Sequence, residues 1–138
     1  MLFQSAKTIT HELTHSFVYF KARGKCPTWL NEGIAQMMEG KSASGYRGQL
    51  AKLAANNSLP NLQILSGSFM GFSTAQAFVA YTYSLTATEL LAEHGVHTVI
   101  EVLDDLGQNY NINVALSRHT RFQNLQAFEE ELKQRLSE

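Results

Sequence analysis

The chain predicts a mainly α fold, and three observations lead there. Apolar residues recur at steps of three and four, no segment alternates apolar and polar residues as a half-buried strand does, and glycine or proline closes most of the periodic runs. In the first run Leu2, Phe3, Ala6, Ile9, Leu13, Phe17 and Val18 are apolar while Gln4, Lys7 and Thr10 fall between them. That spacing predicts one amphipathic helix from about Leu2 to Phe20, with Gly24 and Pro27 beyond its end. Thr28 is a suitable N-cap for a second helix from about Trp29 to Glu39, which Gly40 ends.

Lys41 to Gly45 has the composition of a loop, and a short helix follows near Tyr46 to Ala55. Asn56 to Thr74 carries Pro60, Gly67 and Gly71 without periodicity, so it is expected to be irregular apart from a helical turn at Leu62 to Leu65. Ser73 or Thr74 can cap a long helix from about Ala75 to Glu93, with Phe78, Val79, Leu85, Leu90 and Leu91 as its buried stripe. Gly95 stops it. Val96 to Leu106 is a further amphipathic helix, built on Val99, Ile100, Val102, Leu103 and Leu106 and closed by Gly107. Two shorter helices are expected near Ile112 to Arg118 and Leu125 to Leu136.

A chain of 138 residues with 44% hydrophobic content can bury one core, so residues 1–138 are expected to form a single domain. The formal charge of −1, with lysines and arginines scattered, argues against nucleic acid or an acidic membrane as partner, since both need a concentrated basic face. Cys26 is the lone cysteine, so no intramolecular disulfide can form, and it is expected to be a buried or partly buried thiol. No apolar run approaches the roughly 20 residues needed to cross a bilayer, and the start lacks the pattern of a signal peptide. The compartment stays undetermined.

The chemistry lies in His11-Glu12-Leu13-Thr14-His15, an HExxH signature. On a helix the two histidines lie about 40° apart around the axis and about 6 Å apart along it, close enough to hold one metal ion. Glu12 points roughly 100° away, where it can act on a metal-bound water without being a ligand. Catalytic zinc sites take three protein ligands and leave one position open, so a third ligand must come from elsewhere. Glu32 is the best candidate, because two antiparallel helices joined by a short turn would bring its carboxylate back across the HExxH face.

HELTHSFV followed by PTWLNEGIAQMMEG resembles the gluzincins of the peptidase MA-like group, whose zinc ligands are the two histidines of HExxH and a glutamate in a downstream WLNEG-type motif. The resemblance continues through Ala80-Tyr81-Thr82-Tyr83-Ser84 to the C-terminus. It implies a zincin-like helical catalytic domain lacking most of the usual upstream β-sheet, and hence a piece of a longer protein whose uncovered apolar surface would favour self-association. It also implies His11, His15 and Glu32 as ligands of one zinc ion, Glu12 as general base, and Tyr81 as the phenol that stabilises the oxyanion, with Tyr83 as the fallback. The activity implied is hydrolysis of peptide or protein substrates by metal-activated water. Two positions depart from the pattern. Thermolysin-like members carry an acid four residues after the ligand glutamate that anchors a ligand histidine, and the matching residue here is Gln36, whose amide could still accept the imidazole N–H. No GxMEN-type segment is visible either, which favours an endopeptidase over an aminopeptidase.

Other residues have plainer readings. Tyr81 alone could be a half-buried aromatic whose hydroxyl meets a backbone partner. His94, His97 and His119 are expected at the surface or as caps, outside any metal site. Trp29 and the cluster Phe69-Met70-Gly71-Phe72 are expected to pack, with a cleft-lining role as the alternative. Glu129-Glu130-Glu131 is most simply a solvated helix face. The competing functions are an inactive gluzincin-fold binding or scaffold module, and a helical interaction domain with a coincidental motif.

Overall fold

The computed structural model describes residues 2–138, with side chains described from residue 8 onward. Seven α-helices follow one another: α1 (Leu2–Ala22), α2 (Thr28–Met38), α3 (Arg47–Ala55), α4 (Thr74–Leu91), α5 (Val96–Gly107), α6 (Ile112–His119) and α7 (Leu125–Leu136). Three short 3-10 turns, Ser44–Tyr46, Ile64–Ser66 and Ala92–His94, punctuate them, and no strand occurs among the described residues. The mainly α expectation therefore holds. No helix among the described residues is long and apolar enough to cross a membrane.

Helix α4 runs through the centre, with Ala80, Tyr83, Leu85, Ala87, Leu90 and Leu91 all buried. Ser73 caps it through a reciprocal pair: its hydroxyl accepts from the Gln76 N–H while the Gln76 side chain accepts from the Ser73 N–H. Gly95, at φ 125°, ends the following turn in a conformation that a side chain would strain. Helix α2 lies against α4 at very short range. A methyl group on Gly33 would sit 1.9 Å from Thr88 Oγ1 and 2.6 Å from the Ser84 carbonyl oxygen, so glycine there is a condition of the packing. Trp29 from α2 stacks on Phe128 from α7 with ring centroids 5.9 Å apart, and Phe122 meets Phe128 edge to face. Trp29 is fully buried, so it packs and lines no cleft.

Three expectations about caps and buried stripes need correction. Thr28 is the first helical residue of α2 and caps nothing; Pro27 holds the N-cap position in extended geometry (φ −58°, ψ 145°), and its carbonyl accepts from the N–H groups of Leu30 and Asn31. An amphipathic helix ordinarily buries its stripe, yet Ile9, Leu13 and Phe17 are exposed on α1, while Thr14, Val18 and Ala22 form its buried line. The described residues offer α1 packing partners on one side only, and that side is the one carrying the histidines. Leu2, Phe3 and Ala6 lie outside the described side chains. Phe78, placed in the buried stripe of α4, is 45% exposed.

The acidic run on α7 is a solvated face only in part: Glu130 is exposed, while Glu129 and Glu131 are partly buried and paired. Glu129 accepts from the Tyr83 hydroxyl at 2.8 Å and from the Leu62 N–H at 3.0 Å, anchoring the irregular segment before α4, and Glu131 pairs with Arg135 and Arg121. That segment turns at Ile64–Ser66, with Leu62 and Leu65 fully buried beneath it. His119 also departs from its expected place. It bridges Glu101 at 2.8 Å and Asp105 at 3.0 Å and so fastens α6 to α5. His94 and His97 are exposed, as expected. Cys26 is partly buried, as expected, and burial pushes its thiol well above the usual pKa.

Candidate metal centre

Helix α1 presents His11 and His15 one turn apart on its half-buried side, and α2 returns antiparallel to bring Glu32 opposite them. The two imidazoles meet edge to face with centroids 4.4 Å apart. Their Nε2 atoms are 2.8 Å apart, and His15 Nε2 is 3.6 Å from Glu32 Oε1. One donor atom from each of the three residues lies within 4.8 Å of the other two, the one such cluster found among the described residues. A tetrahedral zinc with ligand bonds of about 2.0–2.1 Å spaces neighbouring donors by roughly 3.3 Å. The observed separations bracket that value.

The other nitrogen of each ring is committed. His11 Nδ1 donates to Glu39 Oε1 at 2.5 Å, and His15 Nδ1 donates to Asn31 Oδ1 at 2.7 Å. With both Nδ1 atoms turned to acceptors, the two Nε2 atoms, 2.8 Å apart, are the ones free to serve as metal donors. The set of two nitrogens and one carboxylate oxygen, with solvent access remaining, matches what a catalytic zinc ion takes.

A family model described as the peptidase MA superfamily matches residues 2–136. The chain belongs to the peptidase MA superfamily. No curated protein and no solved structure matches it.

Among the features expected from the sequence, the histidine anchor considered at Gln36 is not found there. Gln36 does not reach an imidazole: its amide donates to the Tyr81 carbonyl at 2.8 Å and, more weakly, to the Glu32 carbonyl at 3.3 Å. Glu39 takes the contact instead. It stands seven residues after Glu32, two turns along the same face, and its side chain is only 10% exposed. Gln36 thereby ties α2 to α4 at the residue whose phenol was expected in the site. Asn31 and Glu39 were both missed from the sequence. The signal was present in each: a side-chain acceptor beside the candidate ligand Glu32, and an acid two turns beyond Glu32 on the same face.

Tyr81 opens into a cleft of about 610 Å³ that is also lined by His11 and Glu32. Burial first, and the negative charge of Glu32 second, hold its phenol above the usual tyrosine pKa, so it stays a hydrogen-bond donor at neutral pH. Tyr83 lies elsewhere, fully buried and donating to Glu129. Glu12 lies on α1 between the two histidines and is exposed. Phe69 packs edge to face on Tyr81 and is stacked with Phe72, while Met70 is 90% exposed. A smaller hollow of about 300 Å³ between α4 and α7, beside the Glu93–Arg135 pair, includes none of these residues.

Proposed function

We propose that this chain is a gluzincin-type zinc peptidase domain spanning residues 1–138 and acting as an endopeptidase on peptide or protein substrates. The observation that carries the reading is the convergence of His11, His15 and Glu32 donor atoms within 4.8 Å, with both histidine Nδ1 atoms already held by acceptors. His11, His15 and Glu32 would hold one zinc ion. When bound, zinc supplies a Lewis acid and lowers the pKa of water to about 7, giving a nucleophile at neutral pH.

The chain's own groups do the rest. Glu12 takes the proton from the attacking water and later passes it to the leaving amine, so its exposed place beside the ligands suits a group that must meet solvent and substrate. Tyr81 donates its phenol hydrogen to the carbonyl oxygen as negative charge builds there, an interaction strongest in the transition state. Glu39 and Asn31 fix the tautomer and tilt of the two imidazoles. Gln36 holds the backbone of Tyr81 against α2.

The test is Glu12→Gln. It should keep stoichiometric zinc and lose roughly 10²-fold or more in cleavage of a fluorogenic peptide library, whereas His11→Ala should lose zinc and cleavage together. Stoichiometric zinc with no cleavage by the wild-type protein would instead favour the binding or scaffold module.

A further inference from the structure

We infer that the cleft beside the candidate metal centre is a specificity pocket for a bulky, uncharged apolar side chain, aromatic above all, on the residue adjoining the scissile bond. The inference rests on the peptidase reading and adds its substrate class. Outside α1, four aromatic rings are markedly exposed among the described residues: Tyr46, Phe78, Tyr81 and Tyr110. Three of them line this one cleft. Tyr46 and Phe78 meet edge to face at 5.3 Å, each more than two-fifths exposed, and Tyr81 is 38% exposed. The deeply buried Leu85 lines the same cleft.

An exposed edge-to-face pair offers a third ring both an edge and a face, and a ring entering there removes apolar surface from water on both sides. Two charged residues line the cleft, Glu32 and Lys41. Glu32 would be committed to the metal. Lys41 Nζ lies 3.7 Å from Glu39 Oε2, which answers part of its charge, and the remainder repels lysine or arginine side chains. At about 610 Å³ the space admits a large side chain together with the backbone on either side of it.

The test uses two hydroxamates that present the same zinc-binding group, acetohydroxamate and phenylpropanoyl hydroxamate, titrated calorimetrically into zinc-loaded protein. The phenyl compound should bind about tenfold tighter or better. Phe78→Ala should collapse that ratio toward one, and Tyr46→Ala should do the same through the other half of the aromatic pair. Equal affinities in the wild-type protein would overturn the pocket while leaving the zinc reading intact. A ratio that survives both substitutions would overturn it too, because the phenyl group would then be held elsewhere. A protein that takes up no zinc would overturn the peptidase reading itself, and the pocket with it.

Discussion

Glu39 offers the sharpest perturbation of the candidate centre, because it touches the proposed ligand His11 without being one itself. Its carboxylate accepts from His11 Nδ1 at 2.5 Å and is 10% exposed, so solvent does little to weaken the contact. A hydrogen bond to a charged group contributes about 1.5–3 kcal/mol, and loss of such an anchor costs about 10–100-fold in metal affinity. Glu39→Ala removes both the acceptor and the charge that makes the imidazole a better base, so it should weaken zinc binding by roughly 10–100-fold. Glu39→Gln keeps an acceptor and removes the charge; its loss should be smaller, about tenfold or less. The assay is a competition titration of zinc against a chromogenic chelator, with far-UV circular dichroism recorded for each variant. A merely structural role for Glu39 would lower thermal stability and leave the zinc affinity of the folded protein unchanged. Wild-type affinity in both variants would refute the reasoning.

Two further substitutions test how the fold holds the site. Gly33→Ala places a methyl group 1.9 Å from Thr88 Oγ1 and should cost about 1–3 kcal/mol in urea denaturation, with a wild-type midpoint as the contrary result. Glu129→Ala leaves the Leu62 N–H and the Tyr83 hydroxyl without their acceptor and should cost roughly 2–4 kcal/mol; a cost near zero would mean that Glu129 is solvated after all.

Most of the helical layout was legible because periodicity and punctuation agree: the Ser73 cap, the Gly95 stop and the stripe of α5 all lie where the sequence put them. The failures have physical causes. The stripe Ile9, Leu13, Phe17 has no cover among the described residues, and no reading of one helix alone could reveal which of its faces has a partner. Phe78 fits a buried period equally well whether it meets a core or a cleft. Glu129 was hidden inside a run of identical acids, since only the fold brings Tyr83 and Leu62 to one of the three. For the site, HExxH and WLNEG made the three candidate ligands legible. Their anchors were less so, because Gln36 stood where an acid was sought, while Glu39, one turn further on, is selected by how α2 crosses α1.

Zinc-edge X-ray absorption on protein loaded with one equivalent of zinc measures the proposed centre most directly. Four nitrogen or oxygen donors at about 2.0–2.1 Å, with the outer-shell scattering of two imidazoles, are expected from His11, His15, Glu32 and a solvent molecule. A first shell with sulfur, or with fewer than two imidazoles, would contradict the account.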